Sequence, residues 1–259
     1  MDEATSAQRS SENLLDERLI ERHEAIPERP EPGQYVVIDT MHFSNTVIEL
    51  LAKGAAHIHI TDERGNEFSY REQYPDAVLG GGSTDEYEPT DGYDFFNSPS
   101  YVQQLDVDGS PVSMTSSNGG RAVAYLRARA GDDVDVFVGS TMNAAALGEY
   151  LRGQDGQVHL VSSGSKGEVA VEDHIGATLI SRYMDGVPVS ETELDLFRRQ
   201  LETAKGHDYT ETHDLRRRDV REYAMNVNSR DVLPKLVGDS LVDVSVTPDE
   251  AAAEEQAAD

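Results

Sequence analysis

Three segments of the chain repeat one order of local structure: a short apolar run, a turn of small polar residues and a helical pattern. The apolar runs are 112–114, 134–138 and 158–161, the turns are 115–120, 139–143 and 162–167, and the helical patterns are 121–129, 144–152 and 171–184. Repeated strand–helix–strand order favours parallel strands joined by crossover helices. We therefore predict an α/β fold, a mainly parallel or mixed sheet with helices on both faces in three α/β/α layers.

Proline and composition mark the ends of this domain. Residues 1–33 close on Ile-Pro-Glu-Arg-Pro-Glu-Pro-Gly, and these prolines stop a helix, which predicts an N-terminal extension and linker. Residues 34–246 form the α/β domain, either as one unit or as two sub-domains. Residues 247–259 are rich in Ala and Glu without an apolar face, which predicts a disordered acidic tail.

Two stretches inside the domain carry weaker patterns. Residues 62–92 contain Gly80, Gly81 and Gly82 before an acidic run, and we interpret them as a long loop or an insertion. The ordered apolar pattern ends at Val232, Leu233 and Pro234. A basic cluster, Arg216 to Arg218, lies on a late helical segment, where we expect it to pair with neighbouring acids.

The composition is strongly acidic. A formal net charge of −27, from 49 acidic and 22 basic residues, is spread along the chain. An acidic surface of this kind is typical of halophilic proteins, in which salt screens the self-repulsion, and it disfavours nucleic-acid binding. An acidic partner-binding surface is the alternative.

Two absences narrow the function classes further. The chain contains no cysteine, which excludes disulfides, thiolate metal sites and a cysteine nucleophile. No stretch approaches the roughly 20 apolar residues of a membrane span, and the N-terminal residues are acidic. We expect a cytoplasmic protein with no membrane or nucleic-acid partner, and a homodimer is left open.

The segment from Met114 to Arg121 places small hydroxylated and glycine residues between a strand and a helix. Unpaired backbone N–H groups at a helix N-terminus favour an anion, so the segment is a candidate phosphate cradle. Arg121 adds a cation in the first helical turn, where the helix dipole disfavours one and an anionic ligand would compensate. A tight connection without a ligand is the alternative.

Polar residues follow several predicted strands. They are Asp39, Thr115 to Asn118, Ser140 with Asn143, and Ser163 to Lys166. In open α/β sheets ligands bind outside the carboxyl ends of the strands, so we expect these residues to converge on one crevice.

Four acids have a local setting that suggests a function: Asp39, Asp94, Glu172 and Asp173. Mg²⁺ binds a few carboxylates together with substrate oxygens and water. Asp39 closes a buried strand, where a carboxylate must be hydrogen-bonded or bound to a ligand. For Glu172 and Asp173 the alternative is that they only complement the dipole of a helix.

With these residues in view, the chain resembles the 2-phosphosulfolactate phosphatase family from about Tyr35 to Pro234. The matching blocks are Val36 to Asp39, Gly92 to Asp94 with Asn97 to Pro99, Thr115 to Gly119, Gly139-Ser140 with Asn143-Ala144, and Glu172-Asp173 with Gly176-Ala177. The resemblance implies a phosphoric monoester hydrolase that uses Mg²⁺ to convert 2-phosphosulfolactate to sulfolactate and phosphate, on the route to coenzyme M.

We assign site residues on this basis. Asp39 and Asp173 are the candidate catalytic residues, and Asp39, Asp94, Glu172 and Asp173 are the candidate Mg²⁺ ligands. The candidate phosphate- and substrate-binding residues are Thr115, Ser116, Asn118, Gly119 and Arg121, with Asn97, Asn143 and Lys166 orienting the rest of the ligand.

The chain departs from the family pattern at three places. His42 stands where the family carries Arg, Gly80–Gly82 lack a charged pair, and Lys166 replaces an acidic residue. Imidazole does not replace a guanidinium fork at a phosphate site. A paralogue without catalysis, which binds an anionic metabolite or a protein partner, is therefore the alternative function.

Overall fold

A computed structural model describes residue 15, residues 17–211 and residues 213–245, with no side-chain placement for 207 and 208. The predicted acidic tail and the first 14 residues of the predicted extension lie outside this range. The strands are β1 (Leu19–Ile20), β2 (Gly33–Ile38), β3 (His57–Ile60), β4 (Val78–Gly81), β5 (Phe95–Phe96), β6 (Pro111–Met114), β7 (Val134–Gly139), β8 (Val158–Ser162), β9 (Pro234–Val237) and β10 (Ser240–Asp243).

Nine α-helices lie in the described residues from Phe43 onward, with a 3-10 turn at His23–Ala25 and a π-helical turn at Asp219–Ala224. The α-helices are α1 (Phe43–Ala52), α2 (Asn66–Gln73), α3 (Pro99–Val102), α4 (Gly119–Arg129), α5 (Ala144–Arg152), α6 (Val171–Met184), α7 (Glu191–Thr203), α8 (His207–Glu211) and α9 (Asp214–Arg218). The sequence patterns at α5 and α6 predicted both helices with these bounds.

The strands form one mixed sheet in the order β1-β8-β2-β7-β9-β10-β3-β6-β4-β5. Two parallel groups, β1-β8-β2-β7 and β3-β6-β4-β5, flank the β9-β10 hairpin, and the hairpin pairs antiparallel with β7 and with β3. The two groups therefore run in opposite directions. The predicted α/β fold with a mainly parallel or mixed sheet is confirmed.

The turn after β6 meets the end of β2, although the two strands belong to opposite groups. Gly119, the first residue of α4 after that turn, donates its N–H to Oδ2 of Asp39, the residue after β2.

The apolar residues of β2 alternate between the two faces of the sheet. Tyr35 and Val37 pack in a core with α1 and α4, whereas Val36 and Ile38 pack in a second core with α5, α6 and α7. All four side chains are fully buried. Two cores on opposite faces of one sheet give the three-layer α/β/α architecture.

The interpretation of residues 62–92 as a loop is wrong in part, because α2 and β4 lie within it. The glycines of β4 are required by close packing: a Cβ on Gly80 would lie 2.3 Å from Cζ of Phe95, and one on Gly81 would lie 2.4 Å from Cδ1 of Tyr93. Glycine suggested a loop, but these residues make room for aromatic rings over a strand.

The apolar pattern does not end at Pro234, because the β9-β10 hairpin follows and occupies the middle of the sheet. Gly238, with φ of +64°, and Asp239 form its turn. Two short apolar runs separated by Gly-Asp are a hairpin signal that the sequence analysis did not use. No helix in the described part of the chain is long and apolar enough to cross a membrane.

Candidate active site

Three carboxylates lie together where β2 ends and α6 begins. We call Asp39, Glu172 and Asp173 the acid cluster; their exposed fractions are 5%, 2% and 1%. Asp39 follows directly after β2, and Glu172 and Asp173 lie in the first turn of α6. Burial, and then the negative charge of the neighbouring acids, raises the pKa values of Asp39 and Asp173.

Asp39 connects β2 to the N-termini of two helices. Its Oδ2 accepts a hydrogen bond of 2.8 Å from the N–H of Gly119 at the start of α4. Its own N–H donates to Oγ of Ser44 in the first turn of α1 at 2.9 Å. The carboxylate is thus held in place at a positive helix end.

Asp173 ties α6 to two strand ends. Its Oδ1 accepts from the N–H of Thr40 at 2.9 Å, and its Oδ2 accepts from the N–H of Gly164 at 3.1 Å. Two buried hydroxyl oxygens of the same turns, Thr40 Oγ1 and Ser163 Oγ, make no hydrogen bond within the described residues. Unsatisfied hydroxyls in a buried polar site are available to form hydrogen bonds with a ligand.

Lys205, directly after α7, supplies positive charge to the cluster. It forms an ion pair with Glu172, and no other cationic side chain in the described part of the chain forms an ion pair with any of the three acids. Burial alone lowers the pKa of Lys205, but the carboxylates of Glu172, Asp173 and Asp39 outweigh it and raise the pKa above its ordinary value. Three acids and one ammonium leave an excess of negative charge.

His42 and Tyr209 form the neighbouring part of the site. His42 Nε2 lies 2.5 Å from the Tyr209 hydroxyl oxygen. Burial, with the charges of Arg216 and Lys205, lowers the pKa of His42 well below its ordinary value. Burial raises the pKa of Tyr209 to about 12, so both side chains are neutral at physiological pH.

A buried ion pair, Arg216 with Asp219, lies near His42. Arg216 Nη1 donates to Asp219 Oδ2 and to the carbonyl of Asn97, both at 3.0 Å. Asn97 Nδ2 donates to the carbonyl of Thr115 at 3.2 Å, in the turn that leads to Gly119. The predicted pairing of the arginine cluster with acids is confirmed, since Arg217 pairs with Asp214 and Arg218 with Glu222.

A comparison with protein families identifies the chain. The model described as 2-phosphosulpholactate phosphatase matches residues 20–236. The chain belongs to this family. The predicted resemblance is confirmed, and with it the enzyme class at the level of the family, phosphoric monoester hydrolases.

Curated relatives agree with the 2-phosphosulpholactate phosphatase family. The chain is 31% identical to a protein of Symbiobacterium thermophilum over 170 residues, 64% of this chain and 70% of the relative. It is 30% identical to one of Deinococcus radiodurans over 164 residues, 63% and 66% of the two chains. A Clostridium perfringens protein is 30% identical over 152 residues, 56% and 58%. All three are named probable 2-phosphosulfolactate phosphatase, and the alignments span between 58% and 70% of their lengths.

The structure separates the residues suggested by the family pattern. Asp39, Glu172, Asp173 and Gly119 come together, and Asn97 and Thr115 adjoin them. Asp94 does not join the acid cluster; it pairs with Arg71 and accepts from the N–H of Leu79 at the opposite margin of the sheet. Its side chain is 42% exposed, unlike the three clustered acids.

Both ends of the Asn143 side-chain amide form hydrogen bonds within the protein. Its Oδ1 accepts from the N–H of Ser140 at 2.9 Å, and its Nδ2 donates to the carbonyls of Val138 and Val232 at 3.3 and 3.0 Å. These bonds hold the turn after β7 and the segment before β9. They leave the amide little capacity to orient a ligand.

The remaining candidates are exposed or half-buried. Arg121 and Lys166 are exposed, and Lys166 has a φ of +55° in the turn bounded by the Ser165–Glu168 bridge. Ser116 and Asn118 line the turn before α4, where Ser116 Oγ lies 3.5 Å from the N–H of Asn118. The cation in contact with the acids is therefore Lys205, which sequence reasoning missed.

Lys205, Tyr209 and Asp219 were missed because they lie on the late helical segments, far along the chain from the strand ends. Residues 207–213 are polar and carry no apolar pattern, although α8 lies there. The one available signal was His42, a departure from the family pattern. It places a neutral group where the family carries a cation, and the charges of Arg216 and Lys205 both act on it.

The acid cluster is not a complete metal-binding set by itself. Among the described residues, no three His, Cys, Asp or Glu side chains are arranged to hold a metal ion. Both oxygens of Asp173 already accept backbone N–H groups, whereas Glu172 contacts Lys205 through Oε1 alone. Mg²⁺ commonly uses one or two carboxylates with substrate oxygens and water, so Asp39 and Glu172 can supply its usual number of carboxylates.

Proposed function

We propose that this chain is a Mg²⁺-dependent phosphatase of a small anionic phosphoester, with 2-phosphosulfolactate as substrate and sulfolactate and phosphate as products. The observation that carries the proposal is the acid cluster, three buried carboxylates with one ammonium and two unsatisfied hydroxyls, in a member of this family. The names of the relatives supply the substrate.

The charge of the cluster supports the metal. The cluster with Lys205 is short of positive charge, and burial makes that deficit costly. Asp39 and Glu172 would hold Mg²⁺. When bound, the ion would neutralise charge on the phosphoryl group and orient water.

Asp173 is suited to move a proton. Its pKa, raised by burial and by Asp39 and Glu172, makes it a better proton acceptor than an ordinary carboxylate. The two backbone N–H groups of Thr40 and Gly164 orient it. We assign Asp173 the role of accepting the proton of the attacking water. We assign Asp39 the role of positioning the phosphoryl group.

The donors for phosphate oxygens lie around these acids. Thr40 Oγ1 and Ser163 Oγ are buried hydroxyls that can donate to a phosphate. Lys205 adds a charge-assisted donor once a ligand or metal competes for Glu172. Because the acids are almost fully buried, admission of a substrate requires a rearrangement of the residues around them.

The test is phosphate release from 2-phosphosulfolactate, phosphoglycolate and ethyl phosphate in molar KCl, with Mg²⁺ or with EDTA. We expect Mg²⁺-dependent release, reduced at least about 100-fold in Asp39→Asn and Asp173→Asn. Asp94→Asn is the matched control and should retain activity. Equal rates in wild type and both cluster variants would refute the assignment.

The neutral His42 favours a second candidate function, a paralogue that binds the anion without turnover. Ligand-dependent thermal stabilisation without phosphate release, from protein shown to be folded, would establish it. Release above the metal-free blank would exclude it.

A further inference from the structure

Arg216 is held rigidly by its surroundings. It is 8% exposed, and its guanidinium lies over the rings of Tyr87 and Phe96, with Cζ 4.7 and 5.4 Å from the ring centroids. Asp219 and the carbonyl of Asn97 both bind its Nη1. The orientation of the fork is therefore set before any ligand arrives.

Asp219 serves Arg216 and two other donors. Its Oδ1 accepts from the hydroxyl of Ser98 at 2.7 Å and from the N–H of Ser100 at 3.0 Å, while Oδ2 accepts from Arg216. The carboxylate is fully satisfied by the protein. It anchors one nitrogen of Arg216 and leaves the opposite edge of the guanidinium for another acceptor.

That opposite edge carries an unsatisfied donor. Arg216 Nε is buried and makes no hydrogen bond within the described residues, and the same holds for Nδ1 of His42. A buried guanidinium nitrogen without an acceptor is unfavourable, and a planar or tetrahedral oxyanion is its best acceptor. When the hydroxyl of Tyr209 donates to Nε2 of a neutral His42, the imidazole proton lies on Nδ1, which becomes a second donor.

These donors adjoin the acid cluster. His42 is the N-cap residue of α1, three residues after Asp39, and the charges of both Arg216 and Lys205 act on it. Asn97 joins Arg216 to the turn that ends at Gly119. A ligand with its phosphoryl group at the acids can therefore extend toward Arg216.

We propose that Arg216 Nε and His42 Nδ1 bind a second oxyanion, a sulfonate or carboxylate on the carbon chain of the phosphoester. This subsite rests on the proposed function and deepens it, because it selects phosphoesters that carry two anionic groups. Arg216 is then a specificity-determining residue, and the aromatic rings and Asp219 are its positioning groups.

Substrate discrimination tests the subsite. The kcat/KM of Arg216→Gln is measured with 2-phosphosulfolactate and with ethyl phosphate, which lacks the second oxyanion. We expect a fall of about 10- to 100-fold for the first substrate and of less than about threefold for the second. Arg217→Gln, at an arginine outside the subsite, should keep the wild-type ratio.

Removal of Arg216 leaves a buried carboxylate, so folding is controlled with the double variant Arg216→Gln/Asp219→Asn, which removes both charges. It should show the same selective loss. A parallel loss on both substrates, with weaker inhibition by inorganic phosphate, would assign Arg216 to the phosphoryl group and overturn the proposal. An unchanged ratio would also overturn it.

A binding measurement separates this proposal from the phosphatase proposal. Calorimetry with sulfolactate, which contains the second oxyanion but no phosphate, needs no turnover. We expect wild type to bind it and Arg216→Gln to bind at least about tenfold more weakly. Failure of phosphate release with intact sulfolactate binding would reject the enzyme and keep the subsite, whereas equal binding by both proteins would reject the subsite.

Discussion

The carboxylate of Asp39 accepts a 2.8 Å hydrogen bond from the N–H of Gly119, the first residue of α4. The sequence predicted an anion at this helix N-terminus, and the anion found there is a side chain of the protein itself. The glycine turn thus positions a candidate catalytic carboxylate, so a phosphate would bind beside the carboxylate and not in its place.

This relationship predicts that Gly119→Ala disables the site. An added Cβ would lie 2.4 Å from Cδ1 of Phe43 and 2.7 Å from Cβ of Asp39, so the helix start or the acid must shift. We expect a destabilisation of about 1 to 3 kcal/mol and a loss of phosphatase activity. Denaturant unfolding and phosphate release measure the two effects. Gly153→Ala is the control, because its nearest contact would be at 3.5 Å; equal effects of both variants would contradict the argument.

Lys205→Met should destabilise the protein more than Lys166→Met. Lys205 is three-quarters buried against Glu172, whereas Lys166 is exposed. Removal of a partner from a partly buried charge pair costs about 1 to 3 kcal/mol. Thermal unfolding at neutral pH should therefore show a lower Tm for Lys205→Met, and added Mg²⁺ should restore part of the difference. Indistinguishable Tm values for the two variants would argue against Lys205 as the cation of the cluster.

Local patterns were sufficient for most of the fold. The strands at Gly33–Ile38 and Val158–Ser162 and the capping box of α7, in which Ser190 and Glu193 bond reciprocally, follow from apolar runs and helix-start signals. The strand β4 could not be predicted in this way, because its glycines are required by the packing of aromatic rings from elsewhere in the chain. The order of the strands could not be predicted either, because it depends on the β9-β10 hairpin. The sequence signal for that hairpin is short.

The candidate site was predictable only where it lies in sequence-local turns. Asp39 and Asp173 follow from a buried strand end and a helix start. Lys205 lies in a polar segment, and Arg216 is the first of three consecutive arginines. Only the packing of these segments against the rest of the fold distinguishes the two side chains from the exposed Lys166 and Arg121. Exposure and not residue type separates the two sets.

Asp173→Asn should change how stability depends on pH. The pKa of Asp173 in the folded protein is raised well above 3.8 by burial and by Asp39 and Glu172. Its ionisation therefore destabilises the fold, and the loss grows as pH rises from the unfolded value through the folded value. The stability of Asp173→Asn relative to wild type should increase with pH across that window, on top of a constant loss of one backbone hydrogen bond.

Asp62→Asn provides a control of opposite sign. The pKa of Asp62 is lowered by the side chain of Asn66, so its ionised form stabilises the fold above the unfolded pKa. The relative stability of Asp62→Asn should decrease with rising pH. Unfolding free energies measured from pH 3.5 to 8 test both slopes, and a flat difference for Asp173→Asn would show that its carboxyl is not perturbed.

Salt should stabilise this protein through its net charge of −27. Unscreened acids repel one another more strongly in the compact state, and the Debye length falls from about 10 Å at 0.1 M to about 3 Å at 1 M salt. We expect the Tm at pH 7 to rise steadily from 0.1 M to 2 M KCl. At pH 4.5, near the sequence pI of about 4.5, the same series should shift the Tm much less, because little net charge remains to be screened. A salt response of equal size at both pH values would mean that KCl acts by a route other than screening, and the halophile-type interpretation of the composition would then fail.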